Sequence, residues 1–287
     1  MWETKILGFE FYFLFYNFFL YSFCGWIYES TLVSIQHRTW VNRGFLNGPV
    51  VPIYGAGATV VYLFLADIPD EPVLIFLVGM LAATVLEYLT SYVMEKLFHA
   101  KWWDYSNYKY HFQGRICLLA SLLWGFLSLL MMDVLQPFMN RVIAAIPRKA
   151  GEIAGYFIFA VFIADLIVTV IYTLQLDKKL KELSGYREEF MEYLESTKLY
   201  ETREELRERF EGLSVHTISK KLGTRLENHL EKKEEIEARL HSFVLKYEKR
   251  IQPGNHIEKR LLRAFPTMKS TRGEAIIAEL RKHRKSR

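Results

Sequence analysis

Five apolar stretches of this chain are long enough to cross about 30 Å of hydrocarbon, and three of them carry a carboxylate well inside the run with no neighbouring Lys or Arg. The stretches lie near residues 11–36, 50–66, 73–98, 116–137 and 153–176. Glu29 sits in the first, Glu87 in the third and Asp165 in the fifth. A carboxylate near the bilayer centre costs about 2.5–3.5 kcal/mol on the more lenient insertion scale, so it normally faces a bundle interior or a wet cavity. The pattern predicts an all-α polytopic bundle of about five transmembrane helices, and it makes the three acids candidates for function. The second stretch has 17 residues and contains Pro52, Gly55 and Gly57, which suits a broken or re-entrant segment covered by protein.

Charge divides the chain. Residues 1–177 carry 10 Lys/Arg against 13 Asp/Glu, residues 178–245 carry 14 against 15, and residues 246–287 carry 13 against 4. The basic character therefore belongs to the last forty or so residues, which suits contact with anionic lipid at about 1 kcal/mol per basic side chain. No recognised nucleic-acid-binding motif accompanies the charge, so no nucleic-acid partner is expected. Cys24 and Cys117 both fall in apolar stretches and form no disulfide framework. The first apolar run is too long, and lacks the clustered positive charge, for a cleavable signal.

Basic residues follow the first span (Arg38, Arg43) and the third (Lys96, Lys101, Lys109, Arg115), whereas ADIPDEP after the second has none. By the positive-inside rule the N-terminus lies outside and the tail in the cytosol of a multi-pass cell-membrane protein. Arg141, Arg148 and Lys149 dissent. Trp40, Trp102 and Trp103 flank spans at the headgroup level, and the Phe/Tyr-rich first span reads as lipid-facing bulk. Two domains are expected: a membrane domain over 1–177 and a cytosolic helical tail over 178–287. The tail has apolar residues at Leu180, Leu183, Phe190, Leu194, Leu206 and Phe210, then from Ser214 at Ile218, Leu222, Leu226, Leu230, Ile236, Leu240, Phe243 and Tyr247. That spacing reads as a helical hairpin or short antiparallel coiled coil, self-packed or dimeric, ended by Pro253–Gly254.

Ala83, Glu87, Thr90, Ser91 and Met94 share one helical face, as do Asp165, Thr169 and Tyr172. Ser121, Gly125 and Ser128 give the fourth span a face that admits a close neighbour. The acids can line a polar cavity for a cation, a proton or a cationic group, or each can simply be hydrogen-bonded and lock packing. Arg43, in the Gly- and Pro-rich segment 38–57, is predicted at the depth of Glu29. The two can neutralise each other, or Arg43 and loop N–H groups can clamp an anion or headgroup. Asp104 and Arg115 flank aromatics in residues 99–118, and His99 and His111 lack metal-ligand spacing. Neither a resident metal nor a cofactor is expected. There is no Walker A, GxGxxG or GxSxG sequence, so an energising nucleotide must be handled by another chain.

The runs FLYSFCGWIYES, NRGFLNGPVVPIYGAG, LEYLTSYVMEKLFHAKWWDYS and GRICLLASLLWG, in that order, resemble the CmpB-like, ABC-transporter type IV permeases of bacterial membranes. The resemblance covers about residues 12–137 and implies a permease component served by a separate ATPase subunit. Gly25, Trp26, Glu29, Arg43, Gly44, Asn47, Gly48, Pro49, Pro52, Tyr54, Gly55, Glu87, Trp103, Asp104, Tyr105, Gly114 and Arg115 carry over. Asp165 and the tail lie outside this match. The substrate and cavity set is therefore Glu29, Arg43, Asn47, Tyr54, Glu87, Trp103, Asp104, Arg115 and Asp165, with the inner loops 38–48 and 99–115 as coupling surfaces. Two alternatives remain: an intramembrane enzyme acting on a lipid or polyprenyl headgroup, with Arg43, Asp104 and Arg115 on phosphate and Glu29 as base, or a membrane anchor or sensor working through its tail.

Overall fold

Helix α1 runs over Phe11–His37, where no Pro or Gly pair interrupts the apolar run, and ends on Arg38 in the left-handed region at φ 52°. A computed structural model describes residues 1–66, 71–196, 218, 233–252, 254–271 and 274–285. After α1 come α2 (Pro52–Leu65), α3 (Pro72–Phe98), α4 (Leu118–Leu130), a π-helical turn (Met131–Leu135), α5 (Gln136–Ala145) and α6 (Arg148–Ser196). Beyond them lie α7 (Lys233–Ile251), α8 (His256–Ala264) and α9 (Glu274–Lys285). Strand among the described residues is limited to three antiparallel pairs of two residues each: Lys5–Ile6 with Phe9–Glu10, Ala100–Lys101 with Lys269–Ser270, and His111–Phe112 with Ile116–Cys117. The architecture is an all-α membrane helix bundle.

Three helical segments among the described residues are long and apolar enough to cross a bilayer: α3, the continuous run Leu118–Ala145, and α6. Their exposed residues are apolar on a scale that water does not tolerate. On α3, Val73, Leu77, Leu81, Val85, Leu89, Val93 and Leu97 recur every four residues and are all exposed, while Glu87 and Ser91 on another face are buried. That is a lipid-facing stripe opposite a packed one. α2 has 14 residues, or about 21 Å at 1.5 Å per residue, short of the hydrocarbon thickness.

Two expectations need correction, concerning the aromatics of α1 and the end of the fourth segment. The aromatics of α1 are not uniformly lipid-facing bulk: Tyr12, Phe15, Tyr16 and Tyr21 are each 5–6% exposed while Phe23 and Tyr28 are exposed, and Trp2 packs edge-on against Tyr12, Phe15 and Tyr156. The fifth apolar segment and the first tail helix are one 49-residue helix, since no Pro or Gly stands at the charged boundary near 177. The fourth segment continues past 137 through a π turn. Pro137 has no N–H to return to the carbonyl of Asp133, and the helix absorbs this by widening just before it, with Gln136 N–H bonding to Met131 O.

The chain forms two compact units. The first comprises residues 1–97, 102–171 and 263–268. Small residues let its helices approach closely. A Cβ on Gly25 would overlap the Tyr54 ring, one on Gly55 the Phe18 carbonyl and Ser22 Oγ, one on Gly79 the Ser128 side chain, and one on Gly125 the Phe76 ring. Four side chains make a buried polar network between α1, α2 and α5: Tyr21 OH donates to Gln136 Oε1 (3.1 Å), Gln136 Nε2 to Asn17 Oδ1 (3.0 Å), and Asn17 Nδ2 to Thr59 Oγ1 (3.5 Å).

The second unit comprises residues 98–101, 172–262 and 269–287. Within it the later half of α6 and α7 run antiparallel, as the pairs Glu182–Arg250, Phe190–Phe243 and Tyr193–Arg239 require. Leu180, Leu183, Phe190, Leu194, Leu240, Phe243 and Tyr247 are buried there. Lys179 Nζ, 8% exposed, meets Glu258 Oε1 at 2.7 Å and Gln252 O at 2.6 Å. The expected apolar positions Leu206, Phe210, Leu222, Leu226 and Leu230 lie outside the described residues.

Because Gly55 is in contact with α1 backbone, Gly55→Leu should overpack the α1–α2 seam and lower stability by about 1–3 kcal/mol. Thermal unfolding followed by size-exclusion chromatography in detergent would show a lower midpoint than Gly57→Leu, since a Cβ at Gly57 meets Leu86 only at 3.6 Å.

Candidate functional site

The segment between α1 and α2, residues 38–51, has almost no secondary structure, so its backbone needs side-chain partners. Serines on the last turns of α1 provide some. Ser34 Oγ accepts from Val41 N–H (2.9 Å) and Ser30 Oγ from Arg43 N–H (3.1 Å). Asn42 knits the loop internally, accepting from Trp26 Nε1 and Gly44 N–H and donating to Asn47 O. From the other side, Asp165 of α6 takes Asn47 N–H (3.1 Å), Asn47 Nδ2 (2.8 Å) and Gly48 N–H (2.7 Å), and also accepts from Thr169 Oγ1 (3.2 Å). Glycine at 48 suits this approach, since a Cβ there would stand only 3.2 Å from Asp165 Oδ2, closer than an ordinary van der Waals contact. Asp165 and Thr169, expected on one face of the helix, hydrogen-bond to each other and both meet Asn47 of the loop. Ser30, Ser34 and Asn42 carry no distinguishing signal in the sequence, where a Ser or Asn near a helix end is commonplace.

Held in this way, Arg43 reaches Glu29, with Nε 3.5 Å from Oε2. Tyr54 OH donates to the other carboxylate oxygen at 3.1 Å. The Phe265 ring, from the part of the C-terminal segment that joins this unit, lies 4.2 Å from the guanidinium carbon and meets Trp102 edge-on. Arg43 Nη1 is buried and hydrogen-bonds to nothing among the described residues. Burial pulls the Arg43 guanidinium below its ordinary value, and Glu29 then pulls it back up. Of the two readings of Arg43, the geometry supplies the neutralised pair.

Glu87 is 4% exposed and accepts from Tyr105 OH (3.0 Å) and Trp124 Nε1 (3.0 Å). Among the described residues it has no ion-pair partner. Burial, then the neighbouring carboxylate, pushes the Tyr105 phenol above its ordinary range, so it remains a donor. Tyr105 is carried by the loop between α3 and α4. Asp104 Oδ1 in that loop accepts from Ser106 N–H (3.0 Å) and Ser106 Oγ (2.5 Å). Gly114, at φ 69°, lies so close to Asp104 that a Cβ would overlap it. Trp103 Nε1 donates to Arg115 O at 3.0 Å. Arg115 pairs with Glu95 (2.8 Å) and Gln113 and lies over Tyr88 and Tyr92.

A cavity of ≈ 330 Å³ lies within the first unit, between α1, α2, α3, α4 and the π turn. Tyr21, Tyr28, Tyr54, Trp124 and Glu87 line it together with Cys24, Ile53, Val61, Ala83, Leu86, Leu127, Met131 and Leu135 among others. Trp103, Asp104 and Arg115 build the loop that carries Tyr105, and none of them lines this cavity. The expected polar cavity around Glu87 and Glu29 is corrected in two respects. Its wall is mostly apolar, and Glu29 stands behind Tyr54 instead of lining it. No group of three metal-binding side chains occurs among the described residues.

Asp165→Asn would set an NH2 or a weaker acceptor against two backbone N–H groups, costing about 1–3 kcal/mol. Hydrogen exchange should show lost protection at Asn47 and Gly48, with that of α3 unchanged. Retained protection at those two amides would mean that the loop holds without the clamp.

No curated protein and no solved structure matches this chain. A family profile described as "Putative ABC-transporter type IV" matches residues 16–170, which include Glu29, Arg43, Glu87 and also Asp165. The match covers more than half of the chain and reaches beyond the run of motifs that ended near 137. The chain, a membrane-associated protein with three helical segments fit to span among the described residues, belongs to the putative ABC-transporter type IV family.

Proposed function

We propose that this chain is the membrane subunit of a transporter, that its solute passes through the cavity beside Glu87, and that a separate ATPase chain drives it. The observation that carries this reading is the burial of Glu87 at a cavity wall with two donors and no cationic partner among the described residues. A lone carboxylate at membrane depth is costly, and such a residue marks substrate, ion or proton pathways. Family membership supports the ATPase partner, and the absence of a Walker A sequence assigns nucleotide hydrolysis to that other chain. The ordered loop 38–51, pinned by Asp165, is the docking surface we assign to it, with the loop 99–117 that carries Tyr105 as the second.

In this reading residues 1–177 form the membrane domain, with α1 and α2 completing a five-helix bundle around the cavity. The N-terminus lies outside, and residues 178–287 are cytosolic. Lys/Arg after the first and third helices support that orientation, as does the buried, water-soluble type of packing around Lys179 and Tyr247 in the second unit. Glu29 and Arg43 act as a neutralised pair that holds Tyr54 at the wall.

The test begins with the tagged full chain purified from its native membranes. An ATPase should copurify, and proteoliposomes containing both should accumulate a component of a cell extract, found by mass spectrometry, in an ATP-dependent way. Glu87→Gln should retain insertion and ATPase association but lose accumulation by about 10-fold or more, the scale of a lost charged contact of roughly 1.5–3 kcal/mol. Wild-type accumulation by Glu87→Gln would remove Glu87 from the pathway, and failure of any ATPase to copurify would remove the subunit reading.

A further inference from the structure

Most polar side-chain atoms around the cavity are already committed, the half-exposed Tyr28 hydroxyl and the Cys24 thiol excepted. Tyr21 OH donates to Gln136 Oε1, Tyr54 OH to Glu29 Oε1, Trp124 Nε1 to Glu87 Oε2 and Ser128 Oγ to Trp124 O. What these four side chains leave for the cavity is carbon, and from the aromatic three it is ring surface. The rings are mutually tilted. Tyr28 meets Tyr54 at 63° and 6.4 Å, and Tyr54 meets Trp124 at 69° and 5.8 Å, so the wall turns a corner of π surface beside the Glu87 carboxylate. An anion would meet that carboxylate and the negative ring faces. A sugar or other polyol would give up the hydration of several hydroxyls for a wall in which the hydroxyls of Tyr21, Tyr54 and Ser128 and the indole N–H already donate elsewhere. A cation with an apolar body would meet ring quadrupoles, carbon and one negative charge, all favourable at once.

We infer that the cavity is a binding site for a monovalent organic cation of the substituted-ammonium class, held by the Tyr28–Tyr54–Trp124 rings and the Glu87 carboxylate. This rests on the reading of the cavity as the solute site and narrows it to a ligand class. Methyl or methylene groups on the nitrogen spread the charge over an apolar surface that needs no hydrogen-bond acceptor of its own. Ala83 and Gly57 also line the cavity and leave room beside the rings. A bare metal cation does not fit as well, since its coordination shell calls for several oxygen ligands and Glu87 is the only carboxylate in the wall.

The experiment is isothermal titration of the full-length wild-type protein in phosphatidylglycerol nanodiscs, with empty discs subtracted. The probes are choline and 3,3-dimethylbutan-1-ol, which have the same shape but differ by the charge. Choline should bind about tenfold or more tightly than the alcohol, and Glu87→Gln should erase the difference. Equal affinity, preference for the alcohol, or no heat from either probe at millimolar concentration overturns the assignment. The wild-type comparison stands even if the variant does not fold. No ATPase or gradient is present, so loss of the transport reading leaves a choline preference intact. A missing preference leaves transport of a neutral solute standing.

Discussion

Asp165 holds three hydrogen bonds from a loop that is otherwise without regular structure, and much of the first unit depends on them. Loop 38–51 carries Arg43; Arg43 meets Glu29; Glu29 accepts from Tyr54; and Tyr54 forms part of the cavity wall. Each link is a charged or charge-assisted contact in a partly buried place, where such bonds are strong and geometry is narrow. The acid on α6 is therefore a structural anchor whose influence reaches the cavity through three intermediaries. Its carboxylate is stabilised by peptide dipoles and an amide, which explains how it resides in an apolar helix without a Lys or Arg beside it.

Glu87 contrasts with it. Both its donors are side chains, and one of them, Trp124, is itself a wall of the cavity. Tyr105 comes from a loop that is kept in shape by Asp104, Gly114 and the Trp103–Arg115 contact. Two carboxylates of similar apparent depth thus differ in kind. One is used to hold backbone, and the other stands at the cavity wall on side-chain donors alone.

The helical bundle was legible in the sequence because apolar runs of membrane length are hard to mistake, and the small-residue face at Gly125 and Ser128 did find a partner in α3 at Phe76 and Gly79. The Arg43–Glu29 pairing was legible because both sit at one predicted depth. Three features were not. The aromatics of α1 have the composition of a lipid-facing belt, and only the neighbouring α2, α5 and α6 make Tyr12, Phe15, Tyr16 and Tyr21 core. The continuity of α6 past 177 was hidden because charge density changes there, yet helix propensity does not. The wall of the cavity was expected to be polar because Glu87, Thr90 and Ser91 share a face, but the residues opposite that face come from other helices and are mainly carbon.

The π turn at Met131–Leu135 sets the rotational phase of α5. One extra residue per turn shifts the succeeding side chains by about 100° around the axis, since a regular helix advances 3.6 residues per turn. Leu118–Ala145 is thus one helix in length and two in facing. Before the turn, Gly125 and Ser128 look toward α3; after it, Gln136 looks toward Asn17 and Tyr21 of α1. Deleting a single residue from this turn would leave hydropathy and span length almost unchanged while swinging Gln136 out of its amide network. A count of apolar residues would register no difference between the two chains.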